Sequence, residues 1–366
     1  MPASGMVGVH ESGAPAVRLP ALGGHDGGGH DGGLPALGHL LARVEEAAGD
    51  VPALLALAVE TGRQAPLPGQ GRTGQLWEML VSIAAVDVGA ARVFEPHLDA
   101  LAILQQSGAV QPSGAVQPSG AWGVFAAEGP DMRLSARGNA GSVSLSGSKP
   151  WCSLAGNLDS AVVTAHTDDQ QRRAFAVDLH HPGVTVEEPR WVGHGLREIP
   201  SGTVHFEDVP ARAVGADGWY FVRPGFAWGG MAVAACWLGG SIGLLRTFRA
   251  ALLRKQPDQI ALAALGEADR LTTGALEELA VSAAAIDNGL LEHNAWRQAL
   301  RVRGNIASTA ERILAATGAN LGPGPLAFDA KYAKRVADLS LYIRQHHGGR
   351  DDAQLGSLVL EGPGAW

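Results

Sequence analysis

The strongest constraint on this chain's fold is a change in the spacing of its apolar residues near residue 120 and its reversal near residue 225. From Leu34 to Thr61, and from Gly74 to Gln106, apolar residues recur every three or four positions, the period of an amphipathic helix. From Trp122 to Asp208 that period gives way to short runs, GSVSLSG, DSAVVTA, RRAFAVDL, VTVEEP and SGTVHFEDV, separated by Gly, Pro, Asn and Asp. Runs of this kind read as antiparallel strands. From Phe226 the helical period returns in four blocks, about 226–254, 259–296, 299–318 and 326–347. The expected class is therefore α+β: an N-terminal helical domain (34–119), a central antiparallel, barrel-like β-domain (120–224) and a C-terminal four-helix bundle (225–366).

Two segments stand outside this pattern. Residues 1–33 contain GGHDGGGHDGG, whose glycines bury too little apolar surface to offset ordering entropy, so a disordered tail is expected. His25, Asp26, His30 and Asp31 in that tract read as a loose polar tail, and no metal site is expected. SGAVQPSGAVQPSGAW repeats a six-residue unit in which Pro112 and Pro118 block regular helix, giving a loop at 107–119.

Composition narrows the partners. A formal net charge of -8 repels polyanions, which argues against nucleic acid and for a small-molecule ligand. Two distant cysteines, Cys152 and Cys236, and a start lacking a charged then apolar stretch point to a cytoplasmic protein without a disulfide framework. Phe226 to Leu245 is apolar and as long as a membrane span, but its glycines suit close packing, so a buried bundle helix is expected and no membrane partner.

One segment carries a chemical signal. KPWCSLAG, Lys149 to Gly156, lies between two predicted strands and sets Trp151 beside Cys152 and Ser153. An indole offers a broad stacking face at small conformational cost, and a nearby hydroxyl can donate to a ring nitrogen, an arrangement suited to an isoalloxazine. The chain contains no Walker loop, no strand-linked Gly-x-Gly-x-x-Gly and no His-Glu-x-x-His helix.

LSGSKPWCSLAG resembles the flavin-contacting segment of the acyl-CoA dehydrogenase family. WGVFAAEGPDMRLSA is similar to that family's upstream strand and Thr-Glu-Pro turn, with Glu128 matching and Ala127 replacing the Thr. SGTVHFEDVPA and VAACWLGGSIGLL resemble the family's later strand end and first long C-terminal helix. The resemblance implies FAD, with backbone around Val124, Ala126 and Ala127 and the trio Trp151, Cys152 and Ser153 lining it. It also implies an acyl-CoA or related acyl thioester as substrate, a homodimer or homotetramer, and an electron acceptor that the sequence leaves unknown. The carboxylate base used by the family is missing from both of its usual places, here near Gly324 and on Met231 to Ala235. Asp329, at a helix start, is the nearest carboxylate and the catalytic candidate, although a helix-dipole role suits it better. This departure motivates an alternative: a relative that binds flavin or an acyl group without α,β-dehydrogenation, or turns flavin to oxygen activation. Where the family carries an Arg-x-x-Phe-Gly segment that reaches a neighbouring subunit's FAD, this chain has LLRKQPDQIALAAL, in which Arg254 and Lys255 suit either a pyrophosphate or a solvated turn between helices. His97 reads as a structural helix residue, and His346 and His347 as a helix end capped by Gly348.

Overall fold

The computed structural model describes residues 15–21, 33–109, 119–139, 142–188, 190–254, 256–292 and 294–362. His25, Asp26, His30 and Asp31 lie outside these residues, as do Pro112 and Pro118 of the repeat and Lys255.

The N-terminal unit holds α1 (Gly33–Glu46), α2 (Val51–Gly62), α3 (Thr73–Val86) and α4 (Val88–Gln106). Asp50 and Asp87 cap α2 and α4 by accepting the backbone N–H of Ala53 and Ala90. Residues 15–21 depart from the expected disorder. Val17 is buried, its N–H donates to Ser82 Oγ (2.8 Å), and Arg18 and the Leu19 N–H both donate to Glu78. A short apolar stretch with three anchors on α3 offsets the ordering cost that a glycine tract cannot.

The central unit comprises β1 (Trp122–Phe125), β2 (Leu134–Asn139), β3 (Ser142–Ser153), β4 (Ser160–His166), β5 (Arg172–Asp178), β6 (Val184–Val186) and β7 (Ser201–Val214). Neighbours run β1-β4-β2-β3-β7-β5, and a further β4–β5 pairing closes the sheet into a barrel. The sheet is mixed rather than purely antiparallel, since β1 and β2 each pair with β4 in parallel. The long excursion between β1 and β4 allows the parallel register that a hairpin forbids.

The C-terminal unit contains α5 (Trp219–Val222), α6 (Pro224–Arg254), α7 (Gln259–Asp287), α8 (Ala295–Leu321), α9 (Pro323–Phe328), α10 (Ala330–Tyr342), a 3-10 turn (Ile343–Gln345) and α11 (Gly349–Glu361). The apolar helix α6 packs against α3, α4, α7, α8 and α10, so its apolar surface is covered by protein. Gly239 permits this crossing, because a Cβ there would lie 2.2 Å from the Val81 carbonyl oxygen. Buried Arg335 of α10 donates to the carbonyls of Ala85 and Val86 at the end of α3 and to Gly243 of α6. A guanidinium at a helix C-terminus satisfies orphan carbonyls and the dipole together. One apolar core runs from Leu41 through Phe125 and Trp237 to Ile343, joining all three units. Gly348 (φ 56°) precedes α11 instead of capping the helix before it.

Candidate functional site

The end of β3 is irregular where the sequence motif falls. Its register with β7 shifts between Lys149 and Cys152, and Trp151 adopts a positive φ of 59°. A bulge of this kind re-aims side chains, and the strained backbone of a non-glycine residue is typical of functional sites. Trp151 is turned out of the sheet and is 63% exposed, whereas Cys152 points into the core. The Cys152 thiol donates to the Lys149 carbonyl, and burial pushes its pKa up to about 12. Of this residue only the backbone is left to meet a ligand, and nucleophilic chemistry is ruled out at neutral pH.

The segment after β1 lies against this bulge. Lys149, fully buried, donates to Glu128 Oε1 (2.6 Å) and to Thr164 Oγ1 (3.0 Å). His166 and Arg172 also approach Glu128. Burial opposes ionisation of Glu128, but hydrogen bonds from Lys149 and His166 and the charges of Lys149 and Arg172 outweigh it and lower its pKa. A Cβ on Gly129 would stand 3.0 Å from Pro150, so residues 127–129 abut the neighbour of Trp151. Val124 and Ala126 pack against a smaller core with Trp122 and Tyr220, while Ala127 is exposed. Glu128, matched by sequence, is thus the anchor that holds the Ala127 turn beside Trp151.

Ser153 connects the barrel to the helices. Its hydroxyl shares a hydrogen bond with Ser201 (2.7 Å) and accepts one from Arg92 of α4 (3.2 Å). Arg92 also pairs with Glu95 (3.3 Å) and stacks over Tyr342, 4.9 Å from the ring centroid. Tyr342 meets Trp237 edge-on at 6.1 Å, and Trp237 in turn contacts Arg303 and the ring of His346. His346 Nδ1 lies 3.1 Å from Asp351, within ion-pair distance but poorly aligned for a hydrogen bond. Burial works against the charge on Arg92, but Tyr342 and Glu95 raise its pKa. Glu95 is 6% exposed, and burial raises its pKa to about 7 against the pull of Arg92. A buried carboxylate poised near neutrality can hold or take a proton.

Two expected base positions are elsewhere. Asp329 is exposed and caps α10 by accepting the Tyr332 N–H. It sits a whole helix length, about 20 Å at 1.5 Å per residue, from Tyr342. The structure therefore gives it a capping role and removes it from the catalytic candidates. Gly324 lies in the surface turn α9, and Met231 to Ala235 form part of α6 without an acid. Arg254 ends α6 on the surface.

Sequence reasoning missed Arg92, Glu95, Tyr342 and the role of His346. A signal for the first two was present: Arg92, Glu95 and Asp99 follow at i, i+3 and i+7 along the otherwise apolar α4. His97, on the same helix, is structural as read. Its Nδ1 accepts the Trp122 N–H, and burial lowers its pKa to about 4. Asp87, Glu198 and Asp338 lie close enough to share a cation, and the Lys334 ammonium fills that role within 2.9 Å of each. A pocket of about 400 Å³ opens at Phe221, Arg223, Phe226, Glu292, Trp296 and Gln354, sharing no residue with the β3 end.

The description "Acyl-CoA dehydrogenase, middle domain" matches residues 125–209, the barrel that carries Trp151. No curated protein sequence matches the chain. Among solved structures, butyryl-CoA dehydrogenase from Megasphaera elsdenii is similar with a TM-score of 0.76 at 16% identity, over 92% of this chain and 100% of that one. KijD3 in complex with FMN and a dTDP-linked amino-keto sugar gives 0.74 at 18% identity, over 88% and 91%. TdsC from Paenibacillus sp. A11-2 with FMN and indole gives 0.67 at 16%, over 87% and 97%. With the middle domain matched in sequence over residues 125–209 and the helical–β–helical frame matched over nearly its whole length, the chain has the acyl-CoA dehydrogenase fold.

Proposed function

We propose that this chain is an FAD-dependent oxidoreductase acting on the CH–CH group of an acyl thioester, working as a homodimer or homotetramer. The observation that carries the reading is the outward-facing Trp151 on a strained bulge, tied through Ser153 to Arg92 and the buried Glu95. The residues present fit a flavin. Trp151 offers an exposed stacking face, and the Ala127 turn is held against it. Trp151, the Cys152 and Ser153 backbone and the Ala126–Ala127 turn would hold the ring. When bound, FAD would supply the hydride acceptor. Glu95 replaces Asp329 as the proton acceptor for the carbon next to the thioester carbonyl, because it is the buried carboxylate joined to the β3 end. Arg92 orients it and keeps its ionised form accessible, while Tyr342 and Trp237 exclude water.

A second reading is favoured by the empty base positions near Gly324 and Met231 and by the FMN named for KijD3 and TdsC. In it the same platform serves flavin chemistry other than α,β-dehydrogenation, such as oxygen activation. The visible spectrum of the purified protein, followed by denaturation to release the chromophore, tests the flavin. Anaerobic addition of acyl-CoAs of graded length then separates the readings. Bleaching by one of them supports dehydrogenation, whereas a flavin that none of them bleaches supports the second reading. A colourless protein that takes up neither FAD nor FMN overturns both.

A further inference from the structure

Between α3, α4 and α6 lies a small slot of about 20 Å³, walled by Leu76, Leu80, Leu98 and Ala232. Two carboxylates, Glu95 and Asp99, reach this apolar space from the same face of α4. Two indoles line it as well. The N–H groups of Trp77 and Trp228 are both buried, and neither has a partner in the described structure. Trp77 is 0% exposed.

Local backbone shapes the slot for these groups. Gly69 (φ 78°) lies flat on the Trp228 ring, where a Cβ would come within 2.7 Å of it, and so pins the indole. Gly229 makes room for Asp99, since a Cβ there would lie 3.0 Å from the carboxylate. Buried indole donors without an acceptor are costly, and burial also works against the ionised Glu95 and Asp99 carboxylates. One oxygen that accepts from an indole and donates to a carboxylate answers both, and the slot has room for about one such atom. An alkyl end would leave both indole N–H groups unpaired.

We infer that this slot binds the hydroxyl of a substrate whose far end is an alcohol, with water as its occupant when substrate is absent. Glu95, which lines the slot, is joined to the β3 end through Arg92 and Ser153. The identity of the rest of that molecule rests on the acyl-thioester reading above; the slot itself does not.

The test follows the indole N–H resonances of Trp77 and Trp228 in 15N-labelled full-length protein, assigned with Trp77→Phe and Trp228→Phe. ω-Hydroxyacyl-CoAs are compared with plain acyl-CoAs of equal length, and 1-propanol serves as a thioester-free probe. Saturable downfield shifts with 1-propanol and with one ω-hydroxyacyl-CoA are expected, with at least about tenfold weaker binding of its plain counterpart. Asp99→Leu should reverse that preference. Shifts with 1-propanol but with neither kind of thioester keep the slot and remove the acyl-thioester reading. Plain acyl-CoAs that bind as tightly as their hydroxylated forms, or indoles that 1-propanol leaves unmoved, overturn the inference.

Discussion

Replacing Glu95 with glutamine should make the protein progressively more stable relative to its parent as pH rises from 4.5 to 7. Glu95 ionises at about 7 in the folded protein against 4.5 for a free side chain. A raised pKa means that the stability it carries is complete below pH 4.5 and is lost as pH climbs through 7. The gap of 2.5 units, at 1.36 kcal/mol per unit, amounts to about 3 kcal/mol. His97 acts in the opposite sense. Its pKa falls from 6.5 to about 4, so the unfolded chain binds the extra proton between these values, and stability rises with pH by about 3 kcal/mol. The two slopes offset each other in the parent. Glu95→Gln removes the Glu95 slope and leaves that of His97 and those of Asp99, Asp338 and Glu278, whose pKa values burial also raises. The difference in stability between variant and parent should therefore widen by about 3 kcal/mol from pH 4.5 to 7, roughly 5 °C in melting midpoint for a chain of this size. Arg92, Arg303, Tyr342 and Cys236 are common to both proteins, while Asp99 loses a neighbouring carboxylate in the variant. Paired thermal or urea melts at half-unit pH steps supply the measurement. A variant-minus-parent difference that stays constant across this range would refute the placement of Glu95 as a buried carboxylate titrating near neutrality.

Three further changes probe separate links in the structure. Trp151→Ala removes an exposed ring and should leave the melting midpoint within about 1 °C, yet weaken flavin binding by about 1–3 kcal/mol in a fluorescence titration; unchanged affinity would place the flavin elsewhere. Arg335→Ala strands the carbonyls of Ala85, Val86 and Gly243 and should cost about 3–5 kcal/mol in urea unfolding, a loss that Arg335→Lys only partly restores. Gly239→Ala forces α6 away from the Val81 carbonyl and should lower stability by about 1–3 kcal/mol, whereas the same change at Gly274, where an added Cβ meets nothing within 4 Å, should raise it slightly.

The parts of this molecule that were legible in the sequence are those set by local spacing. The period of apolar residues placed the helical and strand units, and the stacking logic of an aromatic beside a hydroxyl found Trp151 and Ser153 at the bulged strand end. What escaped is what packing alone creates. Parallel pairing of β1 with β4 depends on closure of the barrel, and the docking of Val17 depends on Ser82 lying 65 residues away. Asp329 drew attention because sequence proximity to a helix start resembles proximity to a site, but the turn it caps faces solvent at the far end of α10. Glu95 meets Arg92 one turn along α4, but Tyr342, 250 positions from Arg92 by number, reaches it only because α10 packs against α4. The same close packing raises the Glu95 pKa and leaves the Trp77 and Trp228 N–H groups without partners. Charge at helical spacing inside an apolar helix is therefore the sequence signal to weigh: Arg92, Glu95 and Asp99 could not all be accommodated on a buried face unless something polar met them there.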